Sequence, residues 1–310
     1  MATALCPWCS APREDGPSCP RCGANYAKAE AIKAQGKAVG VVAGPPLQVE
    51  EILQKAKADD EILTGIDDPG LELKFRIAAI PAMLALAVVF HLFAPFLQRT
   101  FLSMPVHELG HASFAWFTGH WAIPTLWKTI NGEERGFVTP LFLMGCISWL
   151  IWTAWRAENY PLAAVGGTLV LLLAIGTLFI TEHTAQMLIV FGGDGGGMIL
   201  GTALMATFFF GRGTQLYRGS LRWGFCAIGA AAFVDPFSVW LAARGDFAKV
   251  PFGEEEGIGL SDATKLVDDF GWDTAAMIRR YVALGIACLV ALALVYAWGV
   301  WQGRRRIMVK

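Results

Sequence analysis

The chain has 310 residues, of which 55% are hydrophobic and only 16% charged, with 12 Trp, 20 Phe and a net charge of −1. Soluble globular chains carry about 25% charged residues, and here the charges crowd into the first 76 positions and the stretch from Arg244 to Arg280. The long runs almost free of charge are those of a polytopic membrane protein. The near-zero net charge carries no signal for nucleic acid, and no such partner is predicted.

Four of the seven cysteines lie within the first 22 residues, where a basic and then apolar leader would otherwise stand, so no cleavable signal peptide is expected. Cys6-Pro-Trp-Cys9 and Cys19-Pro-Arg-Cys22 are spaced as two knuckles offering four thiolates to one tetrahedral zinc, with Gly16, Pro17 and Gly23 supplying turns. Residues 1–25 therefore read as a zinc ribbon with a structural zinc, similar to short zinc-ribbon domains that serve many functions. Such a ribbon is a candidate site for recruiting a protein partner. Thiolates persist in a reducing compartment, so this end is expected in the cytoplasm. Residues 26–74, rich in Ala, Lys, Gly and Asp, read as a linker with a short helix over Val49–Ala58, bounded by Gly44-Pro45-Pro46 and Asp67-Asp68-Pro69-Gly70.

Residues 75–310 read as the membrane domain, an all-α polytopic unit of about six or seven segments: 77–97, 100–119, 137–155, 161–181, 184–211, 223–243 and 281–301. Trp121, Pro124, Trp127 and Asn131-Gly132 make 120–136 a hairpin near the interface. Ser261 and Asp273-Thr274 are expected helix N-caps in the last loop. Basic residues before Arg76 and at Arg304-Arg305-Arg306 both favour the cytoplasm, which requires an even number of crossings. One segment is then re-entrant or broken, and the glycine-rich run at Asp194 is the expected one. Trp149, Trp152, Trp155, Trp298 and Trp301 fit an interfacial aromatic belt. Cys146, Cys226 and Cys288 read as small buried apolar residues.

The chemistry resides in His107-Glu108-Leu109-Gly110-His111. Helix positions four apart lie about 40° off one face, so both histidines can bind one metal, with Glu108 beside it as general base. Between Thr100 and Trp127 there is no Lys, Arg or Asp, and Glu108 is the sole acid. Two His and a Glu among such residues are costly unless paired or metal-bound. A catalytic zinc takes three protein ligands plus water. Asp194, alone among charged residues between His183 and Arg212, is the candidate third ligand, its flanking glycines breaking the helix and letting backbones approach. The same Asp could instead cap a half-helix.

Met104-Pro-Val-His-Glu-Leu-Gly-His-Ala-Ser-Phe-Ala-Trp-Phe-Thr-Gly119 resembles the zinc-binding helix of the site-2 protease family of intramembrane metalloproteases, and Asp194-Gly195-Gly196 resembles its second motif. The resemblance spans roughly residues 77–211 and departs from the family in having two spans between the motifs and Gly193 in place of Leu. It implies zinc on His107, His111 and Asp194, water activation by Glu108, and a membrane protein cut within or beside the bilayer. Thr181-Glu182-His183-Thr184-Ala185-Gln186 weakly resembles the glutamate motif of the prenyl-protein (CAAX-type) membrane metalloproteases, which would make Glu182 the third ligand. A noncatalytic scaffold with structural zinc, and a transporter using Asp194, Asp235 and His91, are the other classes considered. His120 is expected to be a poor ligand, and His183 to lie outside the ligand set.

Overall fold

A computed structural model describes residues 5–13, 15–31, 68–210, 214, 217, 221–255 and 259–308. The helix expected over Val49–Ala58 lies outside these residues. The chain divides into two compact units, Met1–Ala58 and Asp59–Lys310.

In the first unit the two Cys-x-x-Cys turns repeat one geometry. The Cys6 N–H donates to the Ala11 carbonyl and the Cys19 N–H to the Ala24 carbonyl, at 2.7 and 2.9 Å. The residue after each second cysteine, Ser10 or Gly23, takes a positive φ. Tyr26 packs against Cys6, Cys9 and Cys19.

The second unit is helical, with two small hairpins. Among the described residues, six helices are long and apolar enough to cross a membrane, as befits a multi-pass membrane protein. They are α1 (Pro69–Phe93), α4 (Val138–Arg156), α5 (Tyr160–Leu178), α6 (Glu182–Ala206, extended by a 3-10 turn to Phe209), α7 (Leu221–Ala243) and α9 (Thr274–Met308). Helix α1 starts inside the expected linker because Asp68 caps it, accepting from the Gly70 N–H at 2.7 Å, and Pro69 occupies the first turn. Between α1 and α4 lie a short α2 (Pro95–Gln98), a π turn (Arg99–Ser103) and α3 (Met104–Phe117). Helix α3 has 14 residues, about 21 Å of rise, which is short of the roughly 30 Å apolar core of a bilayer.

The interruption that the crossing count requires thus lies at Ala94 and the π turn, whereas α6 runs unbroken through Gly192–Gly197. The glycines at Asp194 act as a packing surface. A Cβ on Gly110 of α3 would strike the Gly192 carbonyl and stand 3.0 Å from the Gly193 carbonyl and 3.1 Å from the Gly196 Cα. Gly201 and Gly229 meet the same way between α6 and α7. Close approach of main chains rewards van der Waals packing where no hydrophobic drive acts between helices.

The expected hairpin forms as β1 (Ala122–Pro124) against β2 (Thr129–Asn131). Helix α3 ends in a Schellman turn: the His120 N–H reaches the Ala115 carbonyl at 2.8 Å and Gly119 adopts φ +91°. The last loop carries a hairpin of β3 (Glu254–Glu255) with β4 (Gly259–Leu260) and the short helix α8 (Asp262–Asp268). Ser261 caps α8, and Asp273 accepts from the Ala276 N–H, as the sequence suggests.

Replacing Gly110 with Val should push α3 off α6 and destabilise the unit by roughly 1–3 kcal/mol. Thermal unfolding in detergent should record a midpoint several degrees lower, whereas Gly167→Ala, which faces open space, should leave it unchanged.

Candidate functional site

His107 and His111 project from one face of α3 toward α6. Nδ1 of His107 lies 3.1 Å from Asp194 Oδ1, and Nδ1 of His111 lies 2.7 Å from the Ile189 carbonyl. With both Nδ1–H groups donating outward, the two Nε2 lone pairs point at one another 3.2 Å apart. The third group there is Asp262, at the start of α8: its Oδ2 is 3.3 Å from His107 Nε2 and 3.0 Å from His111 Nε2.

These separations allow a direct test of fit. Ligands at 2.0–2.1 Å from a tetrahedral zinc stand about 3.3 Å from one another. The three donor atoms, His107 Nε2, His111 Nε2 and Asp262 Oδ2, are spaced like one face of that tetrahedron. The outward bonds of both histidines are those that orient metal-ligating imidazoles. Gly193 leaves the space: a Cβ there would lie 2.5 Å from His107 Cε1 and 2.6 Å from both Asp262 Oδ2 and His111 Nε2. The site can hold a metal ion only because position 193 has no side chain.

Asp194 therefore stands elsewhere than its expected place as third ligand. Its Oδ1 is on His107 Nδ1, and its Oδ2 accepts from Trp240 Nε1 at 2.7 Å. It bonds the ring nitrogen of His107 that faces away from Asp262, and the cause is register: α6 presents Gly193, not Asp194, to the Nε2 atoms. Glu182, the rival ligand, is engaged away from the cluster, 2.8 Å from the buried His120 and 3.0 Å from Arg135. His91 and Arg99 face Asp235 at 3.4 and 3.2 Å, and His183 packs on Phe270.

Glu108 is 5% exposed, and Thr129 Oγ1 of β2 lies 2.7 Å from its Oε2. The histidines, Glu108 and Asp262 line a cavity of about 260 Å³, walled by Lys128 and Thr129 of the first hairpin and by Leu260, Ser261, Ala263 and Lys265. Asp262, Trp240 and Thr129 escaped the sequence reading. The only sequence signal for Asp262 is its place after a Ser N-cap, which marks a helix start and no ligand.

In the first unit the four cysteines are unbridged. Cys6 and Cys22 Sγ are 4.0 Å apart, and Cys9 and Cys19 Sγ 3.8 Å. Zinc–sulfur bonds of 2.3 Å give an edge of about 3.8 Å, so this set also fits a tetrahedral ion. The Cys22 N–H holds the Cys19 thiol down to about 6, against the cost of its burial. The Ala24 N–H favours a Cys22 thiolate, but burial and the three other sulfurs push its thiol up to about 12. A cation bound among them relieves that mutual repulsion.

No family model, curated protein or solved structure matches the chain.

Metal analysis of protein purified in detergent should find two zinc equivalents in the wild type and one in Asp262→Ala or Gly193→Val. Asp194→Asn should retain the site but weaken it roughly 10–100-fold, the usual effect of losing an outer partner. Glu182→Gln should leave both equivalents in place. Loss of zinc in Asp194→Asn with retention in Asp262→Ala would reverse the ligand assignment.

Proposed function

We propose that the second unit is a membrane-embedded zinc metallopeptidase of site-2 protease type, acting on transmembrane or membrane-adjacent polypeptide segments, and that the first unit is a structural zinc ribbon. The carrying observation is the convergence of two imidazole lone pairs and a carboxylate at tetrahedral ligand spacing, with Glu108 on the same cavity wall. Two facing lone pairs beside an anion repel one another, and a cation removes that cost. His107, His111 and Asp262 would hold the ion, in place of the Asp194 set that the family resemblance implies.

Zinc in such a site supplies a water of lowered pKa and polarises the scissile carbonyl. Glu108 takes a proton from the attacking water as its oxygen bonds to the carbonyl carbon. The C–N bond then breaks, and Glu108 returns the proton to the departing amine. Thr129 donates to the Glu108 carboxylate or to its backbone carbonyl and keeps that side chain at the cavity wall. Asp194 keeps His107 in the tautomer whose Nε2 is free for the metal.

A scaffold with a purely structural metal has no use for an acid in Glu108's position. The CAAX-type alternative needs Glu182 as a ligand, and the bonds of Glu182 to His120 and Arg135 argue against it. The ribbon is read as cytoplasmic, where its thiolates stay reduced. It would recruit a protein partner or substrate.

The test is Glu108→Gln. It should keep both zinc ions while cleavage of single-span reporter proteins, reconstituted with it in liposomes, falls roughly 10²–10⁴-fold. Retained cleavage would overturn the mechanism. Absence of cleavage in the wild type across transmembrane reporters of varied sequence would favour the scaffold.

A further inference from the structure

Behind the metal cavity lies a void of about 10 Å³, room for a single water, with Ser103, Asp235 and Pro236 in its lining. Arg99, His107 and Asp194 line both spaces, so these three side chains form the partition between them. His107 offers a metal donor, and Asp194 bonds its outer nitrogen. Arg99 adds a cation to the same wall. The cavity's other basic groups, Lys128 of the first hairpin and Lys265 of α8, line the cavity and not the void.

The backbone brings Arg99 there. It opens the π turn that leads into α3. Eight residues of regular α-helix would set its side chain about 80° round the axis from His107. The wider i→i+5 winding of the π turn removes part of that angle and swings Arg99 toward the side that carries His107. The guanidinium is then held from the void side. Its Nη1 donates to Asp235 Oδ2 at 3.2 Å, and His91 Nδ1 lies 3.4 Å from the other oxygen of that buried carboxylate. A guanidinium stays charged and presents its donors in one rigid plane, so a bond to a buried carboxylate fixes the direction of the whole group.

Amide hydrolysis makes use of such a group. As the water oxygen bonds to the scissile carbon, the π pair of the C=O bond moves onto the carbonyl oxygen, which becomes anionic, and the water's proton goes to Glu108. When the C–N bond breaks, the pair returns to the carbon–oxygen bond and the proton leaves with the amine. A donor fixed in advance at that oxygen stabilises the transition state more than the ground state. Asp235 offsets the full charge of Arg99, so the pair presents a directed donor. That suits a neutral carbonyl that gains charge during reaction better than a carboxylate that brings its charge with it.

We propose that Arg99 is a catalytic residue that donates to the scissile carbonyl oxygen, with Asp235 as its positioning residue. The role rests on the metallopeptidase reading. Full-length Arg99→Met, Arg99→Lys and Asp235→Asn, assayed in liposomes with the single-span reporters, test it. All three should keep two zinc equivalents. Arg99→Met should lower kcat roughly 10²–10³-fold, the usual effect of removing one such donor, with KM nearly unchanged. Arg99→Lys should recover part of the loss, and Asp235→Asn should lose less than Arg99→Met. Two fluorescent inhibitors built on one reporter peptide give a readout that a merely structural role would not move. A phosphinate imitates the tetrahedral anion, whereas a hydroxamate grips zinc without it. By anisotropy, Arg99→Met should weaken the phosphinate about in step with kcat and leave the hydroxamate almost as tight.

Equal weakening of both inhibitors, or loss of zinc in Arg99→Met and Arg99→Lys alike, would overturn the assignment. A raised KM at constant kcat would also overturn it, by making Arg99 a group that binds the substrate's ground state. A wild type that cleaves no reporter and binds neither inhibitor would defeat the metallopeptidase reading and this role with it. A wild type that does both, beside an unaffected Arg99→Met, would defeat the Arg99 role alone.

Discussion

The contact on which the second unit depends is the approach of the α3 and α6 main chains at Gly110, Gly192, Gly193 and Gly196. Nothing larger than hydrogen fits between them. Because the two backbones nearly touch, the imidazoles of His107 and His111 reach across α6, to Asp194 on one side and to the Ile189 carbonyl on the other. A larger residue at any of these glycines would separate the helices and leave both rings without their outward acceptors. The gap at Gly193 is the same device at the centre of the site, where a side chain would crowd His107, His111 and Asp262.

Burying so many polar groups among apolar helices is costly unless each is paired. Asp194 satisfies one oxygen with His107 and the other with Trp240. At the far end of the helices, Glu72 meets both Arg76 and Arg222, all three almost wholly buried, and Arg222 lies over the rings of Phe208 and Tyr217. That ion cluster ties α1 to α7, and the Arg76–Gly299 bond adds α9. Removing one partner would strand a buried charge, which costs more than the intact cluster contributes. The two polar centres thus stand at opposite ends of the helices, one around the cavity and one locking the scaffold.

Local chemistry was legible where it was sequential. The paired cysteine turns, the i and i+4 histidines, the caps at Ser261 and Asp273, and the hairpin marked by Pro124 and Asn131-Gly132 are each set by a few neighbouring residues. The glycine run around Asp194 reads as a break in sequence because glycine is a poor helix former in isolation. Inside a bundle its lack of a side chain is rewarded by packing, and α6 stays continuous. Asp262 had no local signature, because its role arises only when a loop far along the chain folds over α3.

That origin of Asp262 distinguishes it from the other two donors. His107 and His111 ride on a helix fixed by glycine packing. Asp262 rides on a seven-residue helix held by the Ser261 cap and by Ala263 and Leu266, which are buried in the large apolar cluster. Short helices have little stability of their own, so the position of this carboxylate depends on those two anchors. Lys265, one turn on, stands 3.7 Å from its other oxygen, a pair too exposed to fix the loop by itself. The candidate metal set is therefore two-part: a rigid imidazole pair built into the helices, and a carboxylate delivered by the segment that also lines the cavity. Access to the cavity and completion of the ligand set are consequently governed by the same few residues.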